Sequence, residues 1–186
     1  DHRDLHSFPT RRSSDLARCW GTNTTGQLGD GTTTNRSRPV LVSNPQGTGP
    51  LTGVTQMTAG ATQTCARLAS GEVYCWGTNL AGGIGDGTSL ERHLPVPVLG
   101  VDGSGPLTGA ADVSGGLRHT CIRLDLGEVR CWGRNLNGNL GDGTTETRLR
   151  PVPTIDPSAA LQPLAGVTQL SRGSVHSCAR LESGEA

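Results

Sequence analysis

The sequence predicts an all-β chain of about three four-stranded antiparallel blades, and three observations predict it. A 56-residue repeat runs through the chain, glycine and proline are too frequent for helices, and short Thr/Val-rich segments alternate with turns. Trp20, Trp76 and Trp132 stand 56 apart, as do Cys19, Cys75 and Cys131. Cys65 to Cys121 is also 56, whereas Cys121 to Cys178 is 57, so the third copy carries one extra residue late on. Cut at the Cys-Trp-Gly, the copies span 19–74, 75–130 and 131–186. Positions shared by all three include Asn23/Asn79/Asn135, Asp30/Asp86/Asp142, Gly31/Gly87/Gly143, Arg36/Arg92/Arg148 and Pro39/Pro95/Pro151.

Residues 1–16, "DHRDLHSFPTRRSSDL", break the period. Shifted back by one copy they should resemble "MTAGATQTCARLASGE" (57–72), yet the Gly, Cys and Ser-Gly-Glu positions all fail, and register returns at Ala17. The peptide resembles a short sequencing adapter translated in one frame. It is expected to be a non-native or disordered segment, which leaves 17–186 as the repeat region. Its histidines and arginines are therefore not read as a metal-binding or basic segment.

Within copy two the elements follow in order. "LPVPVLG" (94–100) reads as an edge strand, because proline has no N–H to give to a ladder. "GAADVSGG" (109–116) reads as an inner strand. "HTCIRL" and "EVRCWG" flank the three-residue loop "DLG", matching "TQTCARL", "ASG" and "EVYCWG" one copy earlier. Such loops favour a type I turn followed by a left-handed glycine, which falls on Gly71 and Gly127. Leu68 then faces Glu72, and counting outward sets Cys65 opposite Cys75 and Cys121 opposite Cys131. Directly opposed residues on antiparallel strands lie within disulfide reach. The stretch "CWGTNLAGGIGDGT" (75–88) then needs a role. It reads as a connection with several sharp turns, anchored by Leu28, Ile84 or Leu140, that steps the chain from one sheet to the next. Four short strands per repeat with a periodic Gly/Trp signature is the cue for a β-propeller blade.

Composition bounds the chemistry. Lys plus Arg and Asp plus Glu are both 16, so the net charge is zero. That argues against nucleic-acid binding driven by phosphate neutralisation. No apolar run approaches the roughly 18 residues of a membrane span. The cysteines of a pair are ten positions apart, which does not fit zinc spacing, and no Cys-x-x-Cys occurs, so disulfides are favoured over metal or free thiols. His119 and His176 each precede a cysteine by two. A metal pair of His119 with Cys121 is one reading, and a buried hydrogen-bonded histidine is the favoured one. Asp30, Asp86 and Asp142 read as turn stabilisers in preference to calcium ligands, since each loop offers one carboxylate. Arg36, Arg92 and Arg148 form either a ring for an acidic partner or, more simply, pairs with Asp or Glu of a neighbouring repeat. Asn23-Thr24-Thr25 and Asn35-Arg36-Ser37 fit the N-glycosylation pattern. No paired carboxylates, nucleophile elbow or phosphate cradle stands out, so no catalytic residue, cofactor or metal site is assigned.

The pattern Trp-Gly-x-Asn-x-x-Gly-x-Leu-Gly-x-Gly-Thr, with a later Gly-x-x-His-Thr-Cys, resembles the regulator of chromosome condensation repeat family. Trp20, Gly21, Asn23, Gly26, Leu28, Gly29, Gly31 and Thr32 carry it, as do Trp132 through Thr144 and Gly116, His119, Thr120 and Cys121. The resemblance covers 17–186, with Gln63 in place of a histidine and Ile84 in place of a leucine. It implies a β-propeller, commonly seven-bladed, so that three repeats make an incomplete ring and further blades of the same chain are expected. Cys19 and Cys178 would then find partners at positions 9 and 188, where position 9 is Pro9 and 188 lies past Ala186. The cysteine pair per repeat resembles a bacterial, exported branch of the family, hence an extracellular or cell-envelope location, with the cytoplasm as the alternative. The expected function is a non-enzymatic scaffold that binds a protein partner. The loops "VSNPQGTGP", "LGVDGSGP" and "TIDPSAALQP" differ most between copies and would set specificity. Guanine-nucleotide exchange on a small GTPase is the runner-up, implied by the family alone, and a carbohydrate-binding surface protein is a third reading.

Overall fold

The computed structural model describes residues 16–158 and 162–182. The expectation for 1–16 lies outside the described residues, apart from Leu16.

Twelve strands and no helix are found among the described residues. They are β1 (Arg18–Gly21), β2 (Arg36–Leu41), β3 (Val54–Ala59), β4 (Gln63–Leu68), β5 (Val73–Gly77) and β6 (Arg92–Pro97), then β7 (Ala110–Gly115), β8 (His119–Leu124), β9 (Val129–Gly133), β10 (Arg148–Pro153), β11 (Val167–Arg172) and β12 (Ser177–Leu181). All pairings are antiparallel. Two complete sheets run β3-β4-β5-β6 and β7-β8-β9-β10, flanked by the pairs β1-β2 and β11-β12. The total is three blades' worth of strands, arranged as two whole blades and two complementary halves. This is an open array of propeller blades. No helix of the described residues is long and apolar enough to cross a membrane.

The sheets do not coincide with the sequence copies. Each complete sheet takes its first two strands from one copy and nearly all of its last two from the next, with the copy junction inside β5, between Tyr74 and Cys75, and inside β9, between Arg130 and Cys131. Local chemistry explains each boundary. The turn between β4 and β5 is the three-residue loop: the Leu68 N–H donates to the Glu72 carbonyl at 2.9 Å and the Gly71 N–H to the Leu68 carbonyl at 3.0 Å. Gly71 and Gly127 close it at φ of 79° and 80°, where a side chain would be strained. The proline strands β6 and β10 bond one neighbour only and form one edge of each complete sheet; β3 and β7 form the other, so β7, expected as an inner strand from "GAADVSGG", is terminal in the hydrogen-bonded order. β7 packs against β3 and β4, and β11 against β7 and β8, so these first strands sit where neighbouring blades converge.

One expectation is overturned. The glycine-rich connection after each Trp does not carry the chain to the next sheet; it joins β5 to β6, and β9 to β10, within one sheet. The step between sheets is made by 98–109, after the proline strand. A loop this long returns to its own sheet because its middle is held against the blade that follows, as described below.

The core lies between sheets. Val73, Cys75, Ile84 and Val98 pack with Val113, Ile122 and Trp132, joining blade one to blade two. Ala17, Val42, Leu51, Ala66 and Trp76 make the equivalent layer on one side, and Cys121, Val129, Cys131, Leu140 and Val167 on the other. Leu28, Ile84 and Leu140 are all buried, the anchoring role expected of them.

Candidate functional site

Each glycine-rich loop is organised around a buried asparagine. Asn23, Asn79 and Asn135 are fully buried. The Asn79 amide donates to Asp86 Oδ1 (3.1 Å) and to the Thr88 carbonyl (3.0 Å), and its Oδ1 accepts from the Ile84 N–H (3.1 Å). Asp86 Oδ1 accepts from Thr88 N–H and Oγ1 at 3.0 and 2.8 Å, and Asp86 Oδ2 pairs with Arg92 Nε at 2.7 Å. The same set holds at Asn23–Asp30–Thr32–Arg36 and at Asn135–Asp142–Thr144–Arg148. The arginines thus pair with the aspartate of their own loop. That corrects the expected pairing with a neighbouring repeat, because the loop folds back and brings a residue six positions earlier alongside. Burial would raise these carboxyls, but hydrogen bonds from Thr and Arg outweigh it and hold Asp30, Asp86 and Asp142 below the usual carboxylate range.

The loop then docks on the following blade. The Trp76 indole N–H donates to the Gln27 carbonyl (3.0 Å) and Trp132 to the Gly83 carbonyl (2.9 Å). Thr64 and Thr120 hydroxyls donate to the same two carbonyls at 2.8 and 3.0 Å, and Ser177 does so to Asn139 at 2.9 Å. The indoles lie so close over the loop that a Cβ at Gly29 would meet Trp76 Nε1 at 2.7 Å, and one at Gly85 would meet Trp132 Nε1 at 2.6 Å. Glycine is required there by close approach as well as by φ of +69° and +80°. Trp76 and Trp132 are fully buried, while Trp20 is 63% exposed. Gly31, Gly87 and Gly143 all take positive φ, and Gly31 and Gly87 donate to His93 and Leu149 carbonyls on the next outer strand.

Cys65 faces Cys75 and Cys121 faces Cys131 in the ladders, with Cα atoms 4.1 Å apart and sulfurs at bonding distance. Cys19 and Cys178 are unpaired. His119 is buried, its Nε2 3.2 Å from Ser177 Oγ on the next blade. Since that hydroxyl donates to Asn139, the imidazole Nε2 carries the proton. Gln63 fills the same position one copy earlier and donates to Thr120 Oγ1 at 3.2 Å. His176 departs from the buried reading: it is exposed, with no strand of a following blade over it among the described residues.

Burial pushes the His119 imidazole down to about 4, with Arg172 and His176 adding to the effect. An unfolded histidine titrates near 6.5. Between those values the unfolded chain takes up a proton that the folded chain refuses, so stability falls as pH drops through this window. His119→Gln, which copies Gln63, is expected to flatten that part of the pH–stability curve in urea titrations. An unchanged slope would remove His119 from the account.

At the opposite end of the sheets, the connections between blades share one frame. Ser43 bridges Pro50, Leu99 bridges Pro106 and Ile155 bridges Pro163. Asn44, Asp102 and Asp156 each accept a backbone N–H inside their loop, from Thr48, Ser104 and Ser158. Thr120 stood out only as part of the Gly-x-x-His-Thr-Cys pattern, and the inter-blade bonds that Thr64, Thr120 and Ser177 make to the loop carbonyls are not part of the sequence reading. Their spacing of 56 and 57 is the signal that marks them.

Blades interlocked by a Trp, a hydroxyl and a glycine loop define a propeller of tandem repeats. A profile of the Regulator of chromosome condensation (RCC1) repeat matches residues 19–67 and 70–123, and a second profile of that repeat matches 54–82 and 110–139. The chain belongs to this family. It is 33% identical over 177 residues to the Arabidopsis thaliana Ultraviolet-B receptor UVR8, covering 93% of this chain and 37% of the receptor. It is 37% identical over 125 residues to the Homo sapiens Regulator of chromosome condensation, covering 65% of this chain and 27% of that protein. Among solved structures, human WBSCR16 superposes with a TM-score of 0.69 at 22% identity over 91% of this chain and 41% of that one. Yeast RCC1 (Prp20), solved bound to Kap60, gives 0.68 at 23% identity over 92% and 38%. The chain thus spans between 27% and 41% of the length of these relatives.

Proposed function

We propose that residues 17–186 form a scaffold segment of an exported propeller that binds a protein partner and performs no catalysis itself. The observation that carries this reading is the set of three inter-blade connections. They have unlike sequences held on one bridge geometry, the arrangement in which side chains vary while the frame does not. Partner recognition is assigned to residues such as Thr48, Asp102 and Ser158 on those loops, all exposed. The disulfides Cys65–Cys75 and Cys121–Cys131 are proposed as native, and they support an oxidising, extracellular or cell-envelope setting; a bacterial source is proposed from the resemblance of the cysteine pair per repeat alone.

Two measurements test this. Thiol titration of denatured, unreduced monomer should find about two reactive thiols of six, from Cys19 and Cys178; six would move the chain to a reducing compartment. Photo-crosslinkers placed at Thr48, Asp102 and Ser158 should label a bound protein more strongly than crosslinkers at Leu80 and Leu136 on the opposite end. Equal or reversed labelling would displace the loops from the site. The identity with the human regulator of chromosome condensation favours one further reading, nucleotide exchange. Accelerated release of labelled GDP from a small GTPase would replace the scaffold reading by that one, and binding to a glycan array would replace it by a carbohydrate-binding surface protein.

A further inference from the structure

The connection from β2 to β3 stands off the blade that follows it. A cavity of about 500 Å³ opens between this loop and the strands β4 and β5, lined by Asn44, Pro45, Thr48, Pro50, Leu68 and Tyr74 among others. Pockets for small ligands occupy about 300–1,000 Å³. The opening belongs to the joint itself. At the next joint, between the two complete blades, the matching residues Val101, Ser104, Pro106 and Thr108 are exposed as well. There the hairpin of the preceding blade docks to one side, where the Ala110 N–H donates to the Gly71 carbonyl at 3.0 Å.

What differs between copies is the wall. Tyr74 takes the place held by Arg18 and Arg130, and Pro45 takes the place of Val101. Arg130 is engaged by Glu128, with Nη2 2.8 Å from Oε2. Among the described residues, the joint at Tyr74 is thus the one that turns an aromatic ring to its loop. No charged side chain lines the cavity. The loop's own polar groups are spent internally. Asn44 Oδ1 accepts the Thr48 N–H at 3.0 Å, and Asn44 Nδ2 donates to Thr48 Oγ1 at 3.2 Å. The Asn44 and Leu51 N–H groups donate to the Gly49 and Val42 carbonyls at 2.7 and 2.9 Å, and Pro45 and Pro50 have no N–H. The Tyr74 hydroxyl forms no hydrogen bond among the described residues. Burial and the nearby Glu72 charge raise its pKa, so it stays a donor through neutral pH.

One free donor beside prolines, a leucine and a phenol ring selects the occupant. A sugar brings hydroxyls around its rim and would bury several without partners. A charged segment would lose its hydration and meet no counter-charge. A prolyl residue offers an apolar ring, one carbonyl and no N–H, so its burial leaves nothing unpaired. Proline-bearing segments also hold an extended conformation beforehand and dock on aromatic-lined grooves. We propose that this cavity receives a proline-bearing, uncharged extended segment of the protein partner, with a prolyl ring on Tyr74 and a carbonyl of the segment accepting the Tyr74 O–H. The assignment rests on the scaffold reading above and gives the partner's chemistry at one of its loops.

The test titrates the isotope-labelled full chain with N-acetyl-tetraproline amide and follows the backbone amide chemical shifts. Saturable shifts are expected at Thr48, Gly49, Leu68 and Tyr74, with N-acetyl-tetra-alanine amide at least about ten-fold weaker. Tyr74→Phe should weaken tetraproline roughly 3–10-fold through the lost hydrogen bond. Tyr74→Arg, which copies Arg18 and Arg130 and so suits the fold, should weaken it more than about ten-fold. Tetra-alanine binding as tightly, an unchanged titration in both variants, or no saturable shift at those four amides overturns the proposal. Saturable shifts of the same amides with maltotriose overturn it in favour of the carbohydrate-binding reading. Failure of the scaffold reading looks different: crosslinkers at Asp102 and Ser158, outside the cavity, then capture no protein, and this assignment loses its partner too. If they capture one while tetraproline leaves the cavity untouched, the scaffold reading stands and this one falls.

Discussion

Trp132→Ala is expected to lower the unfolding free energy by about 3–5 kcal/mol, the range for deleting a fully buried large aromatic. The ring is wholly enclosed and joins two blades, packing with Ile84, Val98 and Val113 of both sheets. Its N–H bond to the Gly83 carbonyl adds a smaller share, about 1 kcal/mol, because that carbonyl keeps a second donor in Thr120. Trp132→Phe should therefore cost well under the alanine change, since it keeps most of the apolar volume. Urea denaturation followed by far-ultraviolet circular dichroism separates the two. An alanine variant within about 1 kcal/mol of the parent would mean that the blades are joined by something other than the indole.

Gly85→Ala is expected to cost about 2–5 kcal/mol from two sources. Holding alanine at φ +80° costs about 1–2 kcal/mol, and forcing a methyl carbon against Trp132 Nε1 adds about 1–3 kcal/mol of overpacking. The sources separate in a double-mutant cycle. With Trp132→Ala already in place the collision is gone, so Gly85→Ala should fall to the backbone share alone. Additive costs would show that the glycine serves its backbone angle and not the ring.

Much of the architecture was legible because local rules fixed it. A three-residue turn leaves one register for β4 and β5, so Cys65 opposite Cys75 follows from counting. Proline without an N–H places Pro39, Pro95 and Pro151 on edges wherever the rest of the sheet falls. The destination of the glycine-rich loop was not legible. It is decided by Trp76 binding the Gln27 carbonyl across 49 positions, and no rule within the loop distinguishes a return to the same sheet from a step to the next. Arg36 was misplaced for a related reason. Its partner Asp30 is near in sequence, but the two meet only once Asn23 has gathered the loop around itself. Identical residues also met unlike surroundings: His119 is covered by Ser177 while His176, one repeat later, is open. The loops proposed for recognition stood out as the least alike segments, yet their common frame came from the Ser43, Leu99 and Ile155 bridges.

The half-copy offset between repeat and sheet has a mechanical consequence. Because each of the two complete blades is lapped across two copies, with a facing cysteine pair at the lap, tension on one copy is shared with its neighbour, as in overlapped shingles nailed at the seam.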